Sequence, residues 1–136
     1  LLKSNGIKSR AFILLNPPFL TDPRENIEWT LKAVEFAFDS GIDTCSIIPT
    51  RAGNGIMDQL IKEGTYVPPT LSAFEETFDR ALALDRGRVF ADTWDLEMFS
   101  DCDDCISARK QRLEHMNLRQ NVLPRVKCPN GCGSAQ

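Results

Sequence analysis

Four of the five cysteines fall into two close pairs, Cys102-Asp-Asp-Cys105 and Cys128-Pro-Asn-Gly-Cys132, separated by 22 residues. Zinc takes four soft or borderline ligands in a tetrahedron, and a tight turn presents two sulfurs to it at once, so paired cysteines at this separation follow the two-knuckle pattern of a structural zinc site. The second pair has three intervening residues instead of two, and Gly131 gives that turn its freedom. Three states of Cys102, Cys105, Cys128 and Cys132 fit the spacing: a structural zinc ion, a reduced or disulfide-linked set, and an auxiliary iron–sulfur cluster. Cys45 lies inside an apolar run and reads as a core residue. His115, the only histidine, lies between Arg112 and Arg119 on a helical stretch and reads as exposed. It offers no credible nucleophile–base pair, because the neighbouring thiols belong to the knuckles.

Three other groups of residues invite a chemical reading. Pro49-Thr-Arg-Ala-Gly-Asn-Gly55 joins a strand to a helix, where free backbone N–H groups can hold a carboxylate or phosphate. It lacks the Gly-Lys-Ser/Thr ending of a phosphate-binding P-loop, and an ordinary connector explains it equally well. Asp92, Asp95 and Glu97 form an acidic group that reads as a solvated strand edge before it reads as a substrate contact. Arg109, Lys110, Arg112, Arg119, Arg125 and Lys127 gather near the C-terminus and read as a solvated helix face, with a phosphate-bearing partner as the alternative.

The elements that must position these residues are legible from punctuation and periodicity. Arg10 to Leu15 is a short apolar run stopped by Asn16-Pro17-Pro18, the mark of a buried strand. Asp22-Pro-Arg-Glu25 supplies an N-cap, a proline at the first helical position and a Glu three residues on. Ile27, Leu31, Val34 and Phe38 then recur at helical spacing until Ser40-Gly41. Thr44 to Ile48 is a second buried strand, stopped by Pro49. Strand, crossover helix and strand of nearly continuous apolar type define a βαβ unit and an α/β fold with parallel neighbours. A short helix carries Ile56, Met57, Leu60 and Ile61. Another, capped by Ser72 with Glu75, carries Phe74, Phe78, Ala81 and Leu82; a third strand spans Arg88 to Trp94. After Phe99 the periodicity thins into an irregular, Cys-pinned appendage.

The 136 residues suffice for one domain with its own core, and the composition excludes disordered, collagen-like and coiled-coil chains. No apolar stretch approaches the roughly 20 residues of a membrane helix, so no membrane partner and a cytoplasmic location are expected. Residues 1 to 100 carry 10 basic and 15 acidic groups, and residues 101 to 136 carry 6 and 4, giving −5 and +2. The net charge of −3 argues against broad nucleic-acid binding. The chain opens at Leu1 in what reads as the end of a helix, as a piece of a longer protein would.

Phe12-Ile-Leu-Leu-Asn-Pro-Pro-Phe-Leu20, the capped helix, Ile47-Ile-Pro-Thr-Arg-Ala-Gly-Asn-Gly55 and Gly64-Thr-Tyr-Val-Pro-Pro69 together resemble the later part of a radical S-adenosylmethionine enzyme. The similarity is to the iron–sulfur oxidoreductase group related to the radical subunit of archaeosine synthesis. The resemblance implies a partial (βα)6 TIM-like barrel, whose C-terminal half is residues 1–100 and whose Cys-rich, metal-binding tail is residues 101–136. In that family a Cys-x3-Cys-x2-Cys loop after the first strand holds a [4Fe–4S] cluster. No such loop exists here, which places the cluster half upstream of Leu1. The resemblance carries contacts to S-adenosylmethionine over to Leu15, Asn16, Ile47, Ile48, Pro49 and Thr50. The expected function is that of a C-terminal fragment walling the cofactor and substrate pocket of a radical oxidoreductase, catalytically inactive alone. Its substrate would be RNA or a small metabolite. The alternative is a zinc-stabilised module docking RNA or a protein. The expected partners are the missing N-terminal half and, through the exposed sheet edge, a second copy of the chain.

Overall fold

The computed structural model describes residues 1–132. Three strands, β1 (Arg10–Leu15), β2 (Thr44–Pro49) and β3 (Arg88–Ala91), form one parallel sheet in the order β1-β2-β3. Register runs straight across it: Arg10 opposite Thr44 and Arg88, Phe12 opposite Ser46 and Phe90, Ile13 opposite Ile47 and Ala91. Helix α1 (Pro23–Asp39) connects β1 to β2. Its start is the one the sequence predicts, with Asp22 accepting from the Glu25 N–H at 2.8 Å and proline in the first turn. Gly41, at φ 89°, ends it in the left-handed conformation that glycine adopts without a Cβ clash. Helices α2 (Gly55–Lys62) and α3 (Leu71–Ala83) connect β2 to β3, and α4 (Ile106–Arg119) follows β3 through a 3-10 turn at Leu96–Phe99. No helix among the described residues is long and apolar enough to cross a membrane.

Three local expectations change. The cap of α3 is Thr70, whose hydroxyl accepts from the Ala73 N–H at 3.1 Å; Ser72 lies two residues further on, within the first turn, and serves another partner. Strand β3 stops at Ala91 because the Asp92 carboxylate folds back onto the Trp94 N–H at 3.1 Å, a local turn that replaces the ladder. The stretch beyond Phe99, expected to be an irregular appendage with a helical stretch around His115, contains a regular helix, α4, that begins at Ile106.

One core joins these elements. Ile13, Leu15, Cys45, Ile47, Val89 and Ala91 from the sheet pack on Ile27, Leu31, Val34 and Phe38 of α1 and on Phe74, Phe78 and Ala81 of α3, with Leu113 and Met116 of α4 in the same cluster. The opposite face of the sheet is bare. Phe12 is 67% exposed and Leu14 47%, and Arg10 and Arg88 are exposed with them.

The two outer edges of the sheet differ. Along β3, the side-chain amides of Asn117 and Gln120 take the place of a fourth strand. Asn117 accepts from Ala91 N–H and donates to Ala91 C=O, while Gln120 does the same for Val89, at 2.8 to 2.9 Å. Among the described residues no strand pairs with the outer edge of β1.

Candidate metal centre

The four cysteine sulfurs of the two pairs converge, all lying within 4.8 Å of one another, with Cys102 Sγ and Cys128 Sγ 3.7 Å apart. A single tetrahedral ion with metal–sulfur bonds of about 2.3 Å holds its sulfurs about 3.8 Å apart. A disulfide requires about 2.05 Å and all five cysteines are free, while an iron–sulfur cube gives each thiolate its own iron and spreads the sulfurs more widely. The arrangement fits one ion held by four sulfurs.

Local structure explains the convergence. Cys102 to Cys105 is a turn in which the Asp104 and Cys105 N–H groups reach back to Cys102 sulfur, and Cys105 is the N-cap of α4, where the helix dipole favours negative charge. In the second pair the Gly131 N–H donates to Cys128 C=O at 3.0 Å, with Gly131 at φ 75°. Asn130 sews the two turns together, its amide donating to Cys102 Sγ at 3.5 Å and to Asp104 Oδ2 at 2.8 Å.

Hydrogen bonds from Asn130, from Cys132 and from the backbone hold the Cys102 thiol down at about 6. Cys132, donating to Cys102, is pushed up to about 12, and burial pushes Cys105 up. Binding a divalent ion replaces the remaining thiol protons, so affinity rises with pH. Cys105 is buried, whereas Cys102 and Cys132 line a cavity of about 660 Å³ between the first turns of α1 and α3, open to a chelator.

The basic tail departs from its solvated reading at two positions. Arg109 and Arg112 are buried, and Glu75 of α3, only 1% exposed, is the acid they surround. Arg109 donates to Glu75 Oε2 from Nη2 at 2.6 Å and from Nε at 3.0 Å, and to Ser72 Oγ at 2.9 Å. Its Nη1 lies 4.0 Å from Cys105 Sγ, so one guanidinium links the sulfur cluster to the interior. Arg112 pairs with Asp79 at 2.9 Å and donates to Leu123 C=O, and Arg125 pairs with Asp79 at 2.7 Å. Glu75 Oε1 and Arg112 Nη1, both buried without a hydrogen-bond partner, face each other at 3.9 Å. His115 is exposed and Cys45 is fully buried, as expected.

The residues expected to touch S-adenosylmethionine lie together at the C-terminal ends of β1 and β2. Leu15 and Ile47 face the helices in the core; Asn16, Pro49 and Thr50 are buried; Ile48 is half-buried on the bare face. Asn16 donates to Val67 C=O at 2.9 Å, and Tyr66 OH donates to Thr50 C=O at 3.0 Å while Thr50 Oγ1 donates to Asn16 C=O. Arg51 pairs with Asp92 at 3.0 Å and lies between the rings of Trp94 and Phe99, clamping the end of β2 to the chain after β3. Of the acidic group, Asp92 thus holds Arg51 and Glu97 pairs with Lys110 at 3.2 Å, while Asp95 takes the left-handed conformation that opens the 3-10 turn. No family model matches the chain, and neither a curated protein nor a solved structure matches it.

Proposed function

We propose that the chain is the C-terminal half of a radical S-adenosylmethionine (βα)6 barrel, walling its cavity and stapled by one zinc ion at Cys102, Cys105, Cys128 and Cys132. The observation that carries the barrel reading is the one-sided sheet: three parallel strands bury one face under α1 and α3 and leave Phe12 and Leu14 exposed on the other. A barrel interior is such a face, and the free β1 edge is where a preceding strand would add. A cleft of about 350 Å³ beside that edge, lined by Phe12, Leu14, Leu20, Trp29 and Ala33, gives the preceding helix and strand an apolar seat.

The cluster-binding cysteines of the family are absent from this sequence, so the chain supplies walls and no radical-generating step. Zinc is favoured over an auxiliary cluster by the close approach of the four sulfurs. The alternative, a basic docking module, loses Arg109 and Arg112 to buried ion pairs.

Metal analysis of the purified chain, as isolated and after anaerobic treatment with iron and sulfide, tests the staple. One zinc per chain, lost in Cys102→Ser or Cys128→Ser, is expected. Stoichiometric iron with sulfide would make the site an auxiliary cluster, and no metal in either sample would end the four-sulfur reading. The barrel reading is tested separately in the longer polypeptide: reductive formation of 5′-deoxyadenosine from S-adenosylmethionine is expected there, and its absence from the reconstituted protein would refute that reading.

A further inference from the structure

On the bare sheet face, two arginines that begin the outer strands meet over one aromatic ring. Arg10 on β1 reaches across β2 to place its guanidinium carbon 5.1 Å from the centroid of Phe90 on β3, and Arg88, two residues before Phe90, places its own at 5.2 Å. Ser46, between Phe12 and Phe90 in register, is buried on this face, and Thr44, Ile48 and Phe90 are half-buried. Among the described residues no carboxylate lies within ion-pair distance of Arg10 or Arg88, although Arg24, Arg51, Arg80, Arg86, Arg109, Arg112 and Arg125 all have one. Two like charges thus converge on this face in a chain of net charge −3, and among the described residues no carboxylate pairs with either.

Guanidinium forks match the oxygens of phosphate in geometry and charge, and two of them match its double charge. Thr44 stands between Arg10 and Arg88 in the same row, and the exposed ring of Phe12 lies in the next row. From these residues we infer that Arg10 and Arg88 form a binding site for the phosphate of a nucleotide-type monoester, whose flat apolar body lies on Phe12. A base stacks on an exposed aromatic ring while cationic side chains hold its phosphate. The site rests on the bare face alone and needs neither the radical chemistry nor the zinc ion.

Adenosine 5′-monophosphate, adenosine and inorganic phosphate titrated into the ¹⁵N-labelled chain test it by amide chemical shifts. The monophosphate is expected to shift residues 10, 12, 44, 88 and 90 saturably and to bind more tightly than phosphate or adenosine alone. Arg10→Gln and Arg88→Gln should each weaken it about tenfold, the effect of losing one charge-assisted partner. Phe12→Ala should remove the advantage over inorganic phosphate. Both arginines are exposed, so the variants should keep the parent circular dichroism and melting temperature. Unchanged affinity in both folded Gln variants would overturn the site. Monophosphate binding no tighter than phosphate would overturn the nucleotide-type ligand.

Discussion

Arg109 holds Glu75 through two nitrogens on one carboxylate oxygen, at 2.6 and 3.0 Å, while its remaining amino group approaches the sulfur of Cys105. The sulfur cluster is therefore anchored to helix α3 through a buried charge, not only through the chain on either side of it. Removing one partner of such a pair leaves the other as an uncompensated interior charge, at a cost of about 3 to 5 kcal/mol. Arg109→Met should lower the unfolding free energy measured by urea titration by that amount, and Glu75→Gln should do nearly the same. Because both single changes break one network, the double variant should cost less than their sum.

Gly87 owes its place to Phe38. A Cβ at residue 87 would collide with Phe38 Cε1, so Gly87→Ala forces the ring or the turn to move. The expected loss is about 1 to 3 kcal/mol by thermal or urea unfolding, the usual range for overpacking. Phe38→Leu, which withdraws the ring, should make the added methyl far less costly.

Acid sensitivity should trace in part to Asp43. The Ser9 backbone N–H, donating at 2.8 Å, and Lys8 beside it hold this carboxyl below its ordinary value of 3.8. A depressed folded value means that the stabilisation is fully present above the unfolded value and is lost as pH falls through the folded one. Unfolding midpoints followed from neutral pH down to about pH 2 should therefore fall less steeply for Asp43→Asn than for the parent.

The amides on the β3 edge offer a test of edge protection. Asn117→Leu with Gln120→Leu removes the four side-chain hydrogen bonds to β3 and uncovers the Val89 and Ala91 backbone. Light scattering of the double variant should show association that the parent lacks at this edge. An unchanged mass would mean that α4 shields the edge by bulk alone.

Much of the frame is legible in the sequence because it depends on local rules. Asp22-Pro23 starts α1, Pro17 and Pro49 end strands, and the four cysteines announce their own meeting. The buried face of helix α4 is obscured by arginine. Residues 109, 112, 113 and 116 have the i, i+3, i+4, i+7 spacing of a buried stripe, but two of the four are charged, and only the acids of α3 make that stripe a packing surface. Glu75 gives no sequence signal of its burial, because its partners lie 34 and more residues away. The rim residues Asn16 and Thr50 were legible as strand ends, yet their bonding to Val67 and Tyr66 depends on how the segment after α2 returns.

The amide-covered side of β3 sets a limit on how copies of the chain can join. A sheet with two free margins can recruit neighbours without end, as fibres do. Among the described residues this sheet has one margin without a partner, at β1, so any pairing of two copies through β1 would use that margin in both. Asn117 and Gln120 occupy the opposite margin and deny it to a further strand.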